Sequence, residues 1–164
     1  MKLGLAIPQD FLTPDNFRFA KQAGCTQVFV GFGKITVETY PPEVPGGLER
    51  RVAYSQPNEE PWTYEGMCKM RDMINDAGLE WEAIQSFDVK HWYDVLLDGP
   101  RKAEQMDKLK AIICDMGRVG IPTMGYNFSL AAVWGRQGLP AARGGAAGPG
   151  FHEPIEPPIP EGMI

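Results

Sequence analysis

Residues 77–84 read AGLEWEAI: a small residue, a glycine, and then apolar and polar side chains in turn. The same join occurs as AGCTQVFV over residues 23–30 and as VGIPTMGY over residues 119–126. Each time a helical pattern runs up to the glycine, which ends it, and a strand follows. A chain that repeats this join alternates helix and strand. Its crossovers are then right-handed and its strands parallel.

Working outward, Lys2–Ile7 reads as a first strand, bounded by Pro8 and the polar Gln9-Asp10. Thr13 is placed to cap a helix, Pro14 suits its first position, and Asp15 favours the positive end of the helix dipole. Phe17, Ala20 and either Ala23 or Cys25 form its buried stripe, and Thr26–Gly31 is the second strand. A second helix spans Trp62–Ala77 with Met67, Met70, Ile74 and Ala77 inward, the methionines serving as core filler. Leu79–Gln85 is the third strand. A loop carrying His91, Trp92 and Tyr93 leads to Gly99-Pro100, where a third helix begins. Its predicted stripe is Ala103, Met106, Leu109, Ile113 and Met116; Lys102, Glu104, Asp107, Lys108 and Lys110 form the solvated face. Ile121–Tyr126 is the fourth strand.

The expected fold is therefore α/β: parallel (β/α) units of a TIM barrel, incomplete at about four strands. No GxGxxG follows the first strand and no Walker sequence occurs, which disfavours an open nucleotide-binding sheet. A full barrel takes about 250 residues, and this chain has 164. Residues 1–137 read as the N-terminal half of such a barrel. Within it, residues 32–61 form an irregular insertion, because Pro41, Pro42, Pro45 and Pro57 exclude a helix or a central strand. Residues 138–164 are rich in Gly, Ala and Pro and read as an extended or disordered tail.

A net charge of -5, with no basic cluster, argues against a nucleic-acid partner. No window approaches a membrane span, and the N-terminal apolar run is too short for a signal sequence. The expected setting is cytoplasmic. Cys25, Cys68 and Cys114 have no metal or redox spacing and read as reduced, buried thiols. His91 and His152 read as solvated loop histidines without a ligand partner at metal spacing.

In a (β/α) barrel, ligands bind at the C-terminal ends of the strands. The candidates are Pro8, Gln9 and Asp10; Phe32, Gly33 and Lys34; Gln85, Ser86 and Asp88; and Tyr126, Asn127, Phe128, Trp134 and Arg136. Arg136 has the fork that grips a carboxylate and Asn127 the amide that serves a hydroxyl. The set suits a polyhydroxylated acid, and no catalytic residue is assignable from it.

The stretch GIPTMGYNFSLAAVWGR, residues 120–136, resembles the mannonate dehydratase family, hydro-lyases on a xylose-isomerase-like TIM barrel. The shared features are a Gly-Ile strand running into Tyr126-Asn127-Phe128, then Trp134-Gly135-Arg136. ARGGA at 142–146, PIPEGM at 158–163 and AGLEWEAIQS at 77–86 are similar to the family as well. The resemblance implies dehydration of D-mannonate to 2-keto-3-deoxy-D-gluconate in glucuronate breakdown, with manganese or a similar divalent metal as Lewis acid. It implies Tyr126, Asn127, Trp134 and Arg136 as substrate-binding residues. It places the metal ligands (a histidine, cysteine, histidine and aspartate set) in the second half of the barrel, so none is expected in this chain. The alternatives are a sugar isomerase or epimerase on the same barrel and a non-catalytic half-barrel. Its open strand edges would suit a homo-oligomer.

Overall fold

The computed structural model describes residues 2–40, 48–54, 56–126, 137–139, 143–146 and 148–150. The chain divides into two compact units, Met1–Lys34 with Ser55–Phe128, and Ile35–Tyr54 with Ser129–Ile164.

The first unit carries the repeats. Its strands are β1 (Gly4–Pro8), β2 (Gln27–Gly31), β5 (Glu80–Ile84) and β6 (Thr123–Met124). Its helices are α1 (Pro14–Gln22), α2 (Tyr64–Asp76), the short α3 (Tyr93–Leu97) and α4 (Lys102–Val119). The capping at α1 is as the sequence predicts: the Thr13 hydroxyl accepts from the Asn16 N–H, Pro14 opens the helix, and Asp15 lies in the first turn. Thr63 caps α2 in the same way through the Gly66 N–H at 3.0 Å. After each long helix, a glycine of the repeated join (Gly24, Gly78 or Gly120) takes a positive φ, which a side chain would oppose.

The strands pair in the order β1-β2-β5-β6, and the three pairings are parallel. Successive strands always step the same way, so right-handed crossovers place α1, α2 and α4 on one face. There the core forms from Val28 and Val30 of β2, Phe17 of α1, Met67 and Ile74 of α2, Trp81 and Ile84 of β5, and Ile112 and Met116 of α4. The register between β2 and β5 shifts at Val28/Phe29, with Glu82 as the extra residue opposite them. Strict alternation along AGLEWEAI breaks at that bulge. On the other face, Gln27 is buried and donates to Glu80 at 3.2 Å and Glu82 at 2.6 Å.

The inward face of α4 differs from the predicted stripe. It is Gln105, Leu109, Ile112, Met116 and Val119, while Met106 and Ile113 are exposed. The polar Gln105 opens this face and hides its phase. Gln105 earns its place by accepting from the Asp94 N–H at 2.8 Å and donating to the Lys90 carbonyl at 2.9 Å.

The second unit holds two strand pairs. β3 (Lys34–Tyr40) and β4 (Leu48–Tyr54) form one, and β7 (Gln137–Leu139) and β8 (Gly148–Gly150) form an antiparallel one. The segment predicted as irregular thus contains two strands. Its prolines at 41, 42 and 45 follow β3 and precede β4 in the sequence, outside the described residues.

Candidate functional site at the C-terminal edge of the sheet

Because the four strands are parallel, their C-terminal ends share one edge. Pro8 leads there into a single 3-10 turn, Gln9–Phe11, and β2, β5 and β6 deliver Gly31, Gln85 and Tyr126. The Gln85 amide oxygen lies 3.1 Å from where a side chain on Gly31 would begin, so glycine leaves that space to the amide. The Gln9 amide oxygen is buried without a hydrogen-bond partner. Gly125 donates to the Ile84 carbonyl at 2.9 Å, and a side chain there would strike the Gln85 backbone. Tyr126 follows, 72% exposed. Of the four predicted substrate residues, only Tyr126 is described; Asn127, Trp134 and Arg136 lie outside the described residues.

Two other candidates are drawn into the structure instead. Phe32 is buried edge-on against Trp62 and Trp81, at centroid distances of 5.1 and 5.9 Å. The buried Asp88 accepts from the backbone N–H of Gln56 at 2.9 Å and of Lys90 at 3.1 Å. An aromatic beside two tryptophans packs the core, and a buried carboxylate that accepts from two backbone N–H groups fastens its loop.

The densest chemistry lies in the loop after β5. His91, predicted as a solvated loop histidine, is buried, its ring edge-on to Trp62 at 5.0 Å. Its Nε2 faces the Glu59 carboxylate at 3.1 and 3.2 Å. Lys90 Nζ approaches the same carboxylate at 2.5 Å and Lys108 Nζ at 3.1 Å. Lys90 Nζ also donates to the Gln56 carbonyl. Burial pushes the Glu59 carboxyl up, but hydrogen bonds from Lys90, His91 and Lys108 outweigh it and hold the group at about 2. Burial also holds the His91 imidazole below its usual value, against the upward pull of Glu59 and Asp88.

Sequence reading missed Glu59, Lys90 and Lys108. Glu59 and His91 are 32 residues apart, and in the sequence Glu59 and Lys108 look like solvated charges. Tertiary packing alone unites them.

These groups do not fit a divalent metal. Among the described residues no cluster of three or more His, Cys, Asp or Glu side chains could hold one, and the Glu59 carboxylate already faces two ammonium groups. The three thiols are free, but only Cys25 is buried. Cys68 is half-buried and Cys114 exposed, because Cys114 points away from the true inward face of α4. Among the described residues no helix is long and apolar enough to cross a membrane.

Comparison with known proteins gives one family. The model described as D-mannonate dehydratase (UxuA) matches residues 34–148. The mannonate dehydratase of Streptococcus pneumoniae (strain 70585) is 31% identical over 88 residues, covering 54% of this chain and 24% of that protein. That of Saccharophagus degradans is 31% identical over 78 residues, covering 48% and 19%. That of Thermotoga maritima is 29% identical over 83 residues, covering 51% and 22%. The matched part of this chain spans about a quarter of the length of such relatives or less. No solved structure gives a significant match.

Proposed function

This chain belongs to the D-mannonate dehydratase family, and we propose that it supplies the first (β/α) units of a TIM-type barrel that dehydrates D-mannonate to 2-keto-3-deoxy-D-gluconate. The observation that carries this reading is the family match over residues 34–148, which includes the stretch from Tyr126 to Arg136. The β1-β2-β5-β6 order supports the barrel, since a doubly wound sheet would reverse direction at a switch point.

In this reading Arg136 grips the substrate carboxylate through its guanidinium fork, Asn127 serves a sugar hydroxyl, and Tyr126 and Trp134 wall the pocket. The Gln9 and Gln85 amides and Tyr126 lie at the C-terminal ends of the parallel strands. The reaction removes the proton beside the carboxylate and expels the neighbouring hydroxyl. The described residues build no metal site, so a divalent ion would draw its ligands from elsewhere. The reading places the protein in glucuronate breakdown, in the cytoplasm.

Purified protein incubated with D-mannonate and Mn2+ tests it, with the 2-keto-3-deoxy acid as the product to detect. Conversion of a ketose without conversion of mannonate would move the protein to the isomerases. The mass of the protein as its own cell makes it is the companion measurement. A mass well above 18.2 kDa fits a whole barrel; 18.2 kDa with no turnover would leave a half-barrel that binds without catalysing.

A further inference from the structure

The chain re-enters the first unit along the limb Gln56–Trp62, and one loop fastens this limb. The Gln56 N–H donates to Asp88, Lys90 Nζ reaches the Gln56 carbonyl and Glu59, and His91 Nε2 meets Glu59. Lys108 adds a hold from α4. A carboxylate only accepts, so Nε2 carries the hydrogen and Nδ1 is bare. Nδ1 is also buried and has no hydrogen-bond partner.

We propose that His91 is an acid-sensitive latch, holding the limb to the loop after β5 while its ring is neutral and loosening it when Nδ1 takes a proton. A proton there makes a buried donor with no acceptor, beside the Trp62 ring. An unpaired buried donor is costly, and a charged one more so. The charged groups around the ring are Glu59 on the limb, Asp88 and Lys90 on the loop, and Lys108 on α4. These are two anions and two cations, balanced only while the imidazole is neutral. Glu59 attracts the protonated ring, but its carboxylate is already shared with two ammonium groups, and the cost of burying the charge outweighs that attraction. The protonated ring therefore gains more by turning out to water, and its turning out removes the Glu59 contact. Burial working against the charged form agrees in direction. The latch does not depend on the reaction proposed above.

The test is a pH titration of the full chain followed by NMR. The sequence has two histidines, and His91→Gln assigns their ring signals while keeping a donor for Glu59. The expected midpoint for His91 lies below 6.5, the value of a free histidine, because burial disfavours the charged ring. The Gln56 amide and the Trp62 indole should shift with the same midpoint, and both should stay fixed in His91→Gln. Should that variant not fold, Glu59→Gln serves, and it should lower the His91 midpoint further. A His91 midpoint at or above 6.5 would overturn the latch. So would Gln56 and Trp62 shifts that survive in His91→Gln, or an unchanged or raised midpoint in Glu59→Gln.

Discussion

Replacing Ile112 and Ile113 separately by Ala should give very different results, although the two are neighbours on α4. Ile112 is 1% exposed within the core, and Ile113 is 51% exposed. Ile→Ala removes three carbons, worth about 2.4 kcal/mol when fully buried at ~0.8 kcal/mol each. The cavity left at 112 adds to this, for a total of about 3–4 kcal/mol. At 113 only about half the transfer value applies, and the better helix propensity of Ala returns about 0.4 kcal/mol, leaving under ~1 kcal/mol. For a chain of this size about 1 kcal/mol moves Tm by ~2–4 °C. Ile112→Ala should therefore lower Tm by about 6–16 °C, and Ile113→Ala by at most ~4 °C, followed by circular dichroism. Gln105→Leu completes the set. It should cost about 1–3 kcal/mol, because the Asp94 N–H loses its buried acceptor. Equal losses at 112 and 113, or a larger one at 113, would refute the helix phase and restore the stripe through Met106 and Ile113.

Three further predictions are independent of that set. Stability should fall on acidification in two stages. His91 has a lowered folded-state pKa, so its contribution is complete above 6.5 and is lost as pH drops below that; Glu59 adds its own loss between 4.5 and about 2. Thermal unfolding at pH 7.5, 5.5 and 3.5 would show both stages, and His91→Gln should lack the first. Gly66→Ala should destabilise by about 1–3 kcal/mol despite favouring helix, because the new carbon meets the Glu60 backbone, which cannot yield as a side chain tip can; urea unfolding measures it. On the proposed function, Arg136→Ala should weaken D-mannonate binding roughly 10–100-fold, the worth of one charge-assisted pair of about 1.5–3 kcal/mol, and Asn127→Ala by roughly tenfold or less. Calorimetric titration decides this, and unchanged affinity in both variants would remove them from the site.

The order of the strands and long helices in the first unit was legible because its signals are local, while the short α3 stands where the sequence reads as loop. Thr13-Pro14-Asp15 and the three joins at Gly24, Gly78 and Gly120 act within a few residues, and the structure carries each of them. The phase of α4 was not legible, since Gln105 is polar and its inward position depends on the Lys90 carbonyl 15 residues away. The strands β3 and β4 were hidden for a related reason. The prolines argue against a continuous strand through 41–45, but they say nothing about strands on either side of them.

The same distinction governs the chemistry. A sequence shows which groups could react, but burial and pairing decide which are free to. The Glu59 carboxyl, held at about 2, accepts a proton only in strong acid and is a poor base at neutral pH. Asp88 accepts from two backbone N–H groups, and His91 Nε2 faces the Glu59 carboxylate. The best-formed titratable cluster among the described residues therefore holds the loops in place. The C-terminal edge of the sheet also carries the Gln9 and Gln85 amides and the Tyr126 phenol, groups that bind hydroxyls without moving protons at neutral pH. A dehydratase built on this edge must take its base and its acid from residues other than these.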